Sequence, residues 1–152
     1  MEKEATAYYA ALDKALDKAM TGTIAELVKK EMSDSAKENV YAAYEPRFYS
    51  RRGEHYNGIS DPRTMDVCYD GRQQDVKILE VYDNADWQQL WGGRKPNSML
   101  ADAIESGDSR FNMGRAGERH FAEPAERHLI DSGLLDAMLE ACLEEELGNL
   151  NL

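Results

Sequence analysis

The stretch Thr64-Met65-Asp66-Val67-Cys68-Tyr69-Asp70-Gly71, followed three residues later by Asp75-Val76-Lys77-Ile78-Leu79-Glu80-Val81-Tyr82, decides the fold class. In the first part Met65, Val67 and Tyr69 alternate with Asp66 and Cys68, the two-residue period of a strand with one covered face. The second part has the β-branched and aromatic content of a return strand. Asp70-Gly71 is a common hairpin turn pair. The connection runs on through Gln74, longer than a two-residue turn, so the register is left open. Helical patterns flank this hairpin on both sides. The chain is therefore expected to be α+β: N-terminal helices, a central antiparallel β-hairpin or small sheet, and C-terminal helices.

On the N-terminal side, Ala-Leu-Asp-Lys occurs twice in succession between Ala11 and Lys18. The repeat places Leu12, Leu16 and Met20 on one helical face. Gly22 is expected to interrupt that helix. Thr23-Ile24-Ala25-Glu26 has the spacing of a capping box, with Thr23 as N-cap and Glu26 reaching back. A second helix then carries Ile24, Leu27, Val28, Met32, Ala36, Val40 and Tyr44 over about 30 Å. Pro46 ends it, because the residue before a proline is pushed out of the α region. On the C-terminal side, Trp87 and Trp91 are expected to anchor the core. Ser98 would cap a short helix through Met99, Leu100, Ala103 and Ile104, stopped by Gly107. Residues 107–120 form a Gly- and Arg-bearing loop. Pro124 suits the first turn of a helix with Ala125 and Leu129 that stops at Ser132-Gly133. The last helix carries Leu135, Met138, Leu139, Cys142 and Leu147. Residues 1–148 are read as a single domain and 149–152 as a frayed tail.

The chain has 152 residues, 42% hydrophobic and 31% charged, a globular rather than disordered or collagen-like composition. No apolar run approaches the roughly 20 residues of a membrane-spanning helix. The acidic start, Met1-Glu2-Lys3-Glu4, does not resemble a secretory signal, so synthesis in the cytoplasm is expected. Cys68 and Cys142 fit a reducing compartment. The formal net charge is −11. Its largest share lies in residues 122–152, where eight acids face Arg127 alone. Nucleic-acid binding driven by phosphate neutralisation starts at a disadvantage on such a chain.

Catalytic and metal-binding patterns are not found in the sequence. His55, His120 and His128 do not have zinc-ligand spacing, and no Cys-x-x-Cys is present. There is no Gly-x-Ser-x-Gly elbow, phosphate loop or dinucleotide fingerprint. The chain is expected to be no enzyme and to hold no cofactor or metal. Two stretches carry other possibilities. Tyr41, Tyr44, Phe48 and Tyr49 surround Arg47, Arg51 and Arg52, a combination that suits core packing, a protein interface or base stacking. Glu140, Glu144, Glu145 and Glu146 crowd the last turns of a helix, where negative charge opposes the helix dipole. They form either a solvated face or a docking surface for basic residues.

Val40-Tyr41-Ala42-Ala43-Tyr44-Glu45-Pro46-Arg47-Phe48-Tyr49-Ser50-Arg51-Arg52-Gly53 resembles the segment after the long helix in small neck proteins of tailed bacteriophages. Glu118-Arg119-His120-Phe121-Ala122-Glu123-Pro124-Ala125 resembles that family's entry to its last helix, with Arg119-His120-Phe121 where Arg-Pro-Phe is usual. The resemblance is to head–tail joining or tail-completion proteins, and it carries no catalytic residue. It implies a structural virion protein of the neck that forms a homo-oligomeric ring between portal connector and tail. DNA would be passing cargo only, and tail-terminator and portal proteins would be neighbours. Two segments depart from that pattern: Tyr8–Met20 and the acidic C-terminus. A ring subunit needs complementary patches, and the candidates are Arg47, Tyr49, Arg51 and Arg52 against Glu140, Glu144 and Glu145. The rival reading is an acidic phage-encoded regulator of the DNA-mimic type that occupies a host nucleic-acid-binding protein.

Overall fold

The computed structural model describes residues 2–42, 58–71, 76–85, 101, 104–105 and 118–148. Helix α1, Glu2–Ala19, and helix α2, Ala25–Ala36, are joined by a π-helical segment, Met20–Ile24. A second π segment, Lys37–Tyr41, follows α2. The backbone is right-handed helical at every junction: Ala19 at φ −61°, Ile24 at −69° and Ala36 at −63°. The two expected helices are thus one continuous helical run about 60 Å long.

This corrects the expected break at Gly22. Thr23 lies inside the run, and no side chain caps the start of α2. Glu26 instead meets Lys29 at 3.3 Å. A single glycine costs a helix only about 1 kcal/mol. The alanines and leucines on both sides outweigh that. The run continues through a wider turn around Gly22, in which the Ala25 N–H reaches back five residues to the Met20 carbonyl.

Strand β1, Met65–Asp70, pairs antiparallel with β2, Ile78–Asp83. The register runs from Met65 opposite Asp83 to Asp70 opposite Ile78. Asp70 is therefore still in the ladder rather than in the turn, and the connection is residues 71–77. Met65, Val67 and Tyr69 share one face with Asp83, Val81 and Leu79, as the alternation predicted, but only the Met65–Asp83 end of that face is buried and Val67 is 36% exposed. A short 3₁₀ turn, Pro62–Thr64, leads into β1; the Asp61 side chain accepts from Arg63 N–H at 3.1 Å to start it.

Helix α3, Ala122–Asp131, packs on α2, and helix α4, Leu134–Gly148, packs on α1. Pro124 lies in the first turn of α3. Its N-terminus is capped from elsewhere: the Glu105 carboxylate accepts from Phe121 N–H at 2.8 Å and Ala122 N–H at 3.2 Å. Gly133 ends α3 in the left-handed conformation, φ +69°, and its N–H bonds the Ile130 carbonyl at 3.2 Å. Ser132 Oγ then accepts from Leu134 N–H at 3.3 Å as α4 begins.

The core gathers at the α2 end: Met32, Ala36, Val40, Ile59, Met65, Ala85, Ala101, Phe121 and Ala125. Val28, Tyr41, Val81 and Ile104 pack around it. Trp87, Trp91 and the Ser98 cap lie outside the described residues; Ala101, Ile104 and Glu105 are helical, as expected there.

Candidate interaction surface

Two sets of polar contacts fasten the hairpin along the long helix. At its connection, the Asp-Lys repeat of α1 puts Asp13 and Asp17 one turn apart, and both meet Lys77. Lys77 Nζ lies 2.6 Å from Asp13 Oδ1 and 2.9 Å from Asp17 Oδ1. It also donates to the Gly71 carbonyl at 3.1 Å. The Tyr69 hydroxyl donates to Asp17. The Tyr69 bond, and then Lys77, hold the Asp17 carboxyl below the usual carboxylate range. Burial, reinforced by the Asp17 charge, pushes the Tyr69 hydroxyl up to about 12. Gly71 leaves room for this clamp: a Cβ there would stand 2.9 Å from Tyr69 Cε1 and 3.1 Å from Asp17 Oδ1.

At the α2 end, beside Met65 and Asp83, each contact has a buried partner. Ser33 Oγ donates to the Ser60 carbonyl at 2.8 Å, tying α2 to the segment before β1. Asp61 is fully buried and is gripped by the Arg63 fork at 2.9 and 2.7 Å. Asp83 Oδ1 accepts from Ala85 N–H at 2.8 Å and Thr64 Oγ1 at 3.2 Å. Its Oδ2 is buried without a hydrogen bond. Burial pushes the Asp83 carboxyl up to about 6, against the pull of those donors and with the Asp61 charge adding to it. On the opposite side of α2, Glu31 is buried and meets His128 Nδ1 of α3 at 2.8 Å.

The expected site residues divide in two. Glu140, Glu144 and Glu145 are exposed on α4, spaced so that they share one side of the helix. Glu146, beside them, is half-buried and pairs with Lys18 of α1, an ion pair that raises the Lys18 pKa. Arg47, Tyr49, Arg51 and Arg52 lie outside the described residues, as does His55. The clamp, the Ser33–Ser60 tie and the Glu105 cap were missed by sequence reasoning. The repeat at Asp13 and Asp17 was the one available signal, since two acids one turn apart invite a shared cation. Among the described residues no three His, Cys, Asp or Glu side chains form a metal-binding group. Cys68 is exposed, Cys142 half-buried, and both are free. No described helix is long and apolar enough to cross a membrane.

What the described residues define is a small α+β protein whose last helix presents an exposed acidic row, and whose helix α3 lines a shallow surface pocket with His120, Glu123, Arg127, His128 and Asp131. The YomN family model matches residues 8–145, and the chain belongs to that phage-derived family. The match takes in both Tyr8–Met20 and almost all of the acidic C-terminal helix. Neither a curated protein nor a solved structure matches the chain.

Proposed function

We propose that this protein is a non-enzymatic structural component of the phage neck, forming a ring that joins the portal connector of the head to the tail. The observation that carries the reading is the exposed row Glu140, Glu144 and Glu145 on α4 in a member of a phage-derived family. A closed ring needs unlike, complementary patches on one subunit. The sequence supplies the opposite charge at Arg47, Arg51 and Arg52. A net charge of −11 also suits a channel that must let DNA pass without holding it. On this reading the protein works in the virion, at the head–tail junction, after synthesis in the host cytoplasm. Its partners are copies of itself and the portal and tail-terminator proteins.

Gold-labelled antibody on intact particles of the phage that encodes the chain tests the placement. Label at the head–tail junction is the expected result. Its absence from intact particles, together with capture of a basic host nucleic-acid-binding protein, would overturn the reading in favour of an acidic regulator.

A further inference from the structure

The Met65–Asp83 pair ends the hairpin ladder, and around it more polar groups are buried than are satisfied. Ser60 and Asp61 are fully enclosed and Asp83 is 8% exposed. Buried polar atoms are nearly always hydrogen-bonded. Here Ser60 Oγ and Asp83 Oδ2 are both buried without a partner. The bonds that do form meet at Thr64. Its Oγ1 lies 2.8 Å from the Asp61 carbonyl and 3.2 Å from Asp83 Oδ1. Both of those atoms are acceptors when Asp83 is ionised, and a hydroxyl has one proton to give. The joint is therefore one proton short of a complete set of bonds.

The charges nearby do not make up the deficit. Among the described residues no basic side chain pairs with Asp83; the Arg63 fork is turned onto Asp61. On α2, Lys29 pairs with Glu26, Lys30 and Lys37 pair with Asp34, and Glu31 meets His128 of α3. On the sheet, Asp66 accepts from Asn84 and Glu80 from Tyr82, while Glu105 caps α3. Burial, and then the like charge of Asp61, favour the neutral Asp83 carboxyl, in keeping with its pKa of about 6. Asp83 is also the last residue of β2, so a short excursion of the ladder end brings it to water. Such ends open more readily than the core does.

We propose that the Met65–Asp83 end of the hairpin is a proton-operated joint, closed when Asp83 is protonated and donates to Thr64, and opened locally when that proton is lost. With the proton in place the bonds run one way, from the Asp83 carboxyl to Thr64 Oγ1 and from the Thr64 hydroxyl to the Asp61 carbonyl. Without it, Thr64 satisfies one acceptor at a time, and a bare carboxylate oxygen stays buried beside Asp61. Opening carries Asp83 and Asn84 to water while the core around Phe121 stays closed. The inference rests on this joint alone and is independent of the neck reading.

Amide hydrogen exchange on the full chain, followed by NMR at pH 5 and pH 7 and corrected for intrinsic rates, tests it. The reporters are the Asn84 and Thr64 amides, which donate to the Thr64 and Asp61 carbonyls at 2.9 and 3.0 Å and not to the Asp83 carboxyl. Their protection should fall about tenfold between the two pH values, and should lie below that of the α2 amides at pH 7. Asp83→Asn supplies a permanent donor to Thr64, so it should hold protection at the pH 5 level throughout. A carbon-13 carboxyl titration of the wild type needs no variant and should place Asp83 at about 6. Titration in the ordinary aspartate range overturns the proposal, as does protection that is unchanged with pH or falls equally in the variant. Protection equal to that of α2 at both pH values overturns it too, since the joint would then open only with the whole molecule.

Discussion

The two ends of the long helix are built on different principles. Around α2, large apolar side chains and small alanines are fully enclosed, and each polar contact has a buried partner: Ser33 and Ser60 together, Asp61 beneath an exposed Arg63, Glu31 beneath an exposed His128. Around α1, the enclosed residues are alanines, the leucines stay half-covered, and the fastenings are ion pairs at the surface. Exposed ion pairs contribute little to stability, whereas each fully buried large apolar side chain contributes about 1.5–3 kcal/mol. The α2 end therefore contributes most to the fold, and the α1 end less. The comparison breaks most directly by truncating one apolar side chain at each end. Phe121 is 2% exposed, and Phe121→Ala is expected to cost about 3–5 kcal/mol. Leu139→Ala on α4, half-buried, should cost about 1 kcal/mol in the monomer. Urea unfolding of both variants at low protein concentration checks the ratio. Equal losses would mean that α4 belongs to the same rigid core as Phe121.

How far this division could be read beforehand depends on whether its cause was local. That Met65, Val67 and Tyr69 share one strand face was legible from the two-residue period, whereas the exposure of Val67, 36%, was not, because it depends on what packs over the sheet. Ala125 and Leu129 were legible for the corresponding helical reason. Non-local causes were not. Nothing near Phe121 announces that Glu105 caps its helix, and nothing in Asp83 says that the register sets it opposite Met65, facing the core. Gly22 was misread because a helix breaker acts only when the flanking turns cannot carry it. Of the candidate interface, the acidic half on α4 was legible as a charged helix face, while its basic half, Arg47 to Arg52, lies outside the described residues.

Asp83 sharpens the contrast, since it places a carboxyl inside the stable end. Its pKa in the fold is about 6, against 3.8 for an unperturbed aspartate. The folded state thus binds the proton more tightly than the unfolded chain. The resulting stabilisation is complete below about pH 4 and is lost as pH rises through about 6, amounting to at most about 3 kcal/mol. Asp17 and Asp34, whose pKa values are lowered, act in the opposite direction, losing their contribution as pH falls below the ordinary carboxylate range. Between pH 4 and 6 the Asp83 effect should dominate. The urea midpoint is therefore expected to be higher at pH 5 than at pH 7, and Asp83→Asn should flatten that difference. An unchanged difference in the variant would place Asp83 in solvent and remove the buried carboxyl from this end of the molecule.

The smallest expected effects come from two glycines that look alike in sequence, since each follows a helical pattern and each reads as a stop. Gly133 is one. Its φ of +69° lets the chain turn from α3, on the core, to α4, on the open layer. A side chain there is strained even though a Cβ would meet open space, so Gly133→Ala should cost about 1 kcal/mol. Gly22 is not a stop. It lies in a right-handed helical run, and a Cβ there also meets nothing within 4 Å. Gly22→Ala should therefore stabilise by about 0.5–1 kcal/mol, through the unfolded chain's lost freedom and better helix propensity. Thermal midpoints of the two variants should move in opposite directions. If Gly22→Ala were to lower the midpoint, the junction between the stable and the open end would be a hinge requiring glycine, and the two ends would no longer share one continuous helix.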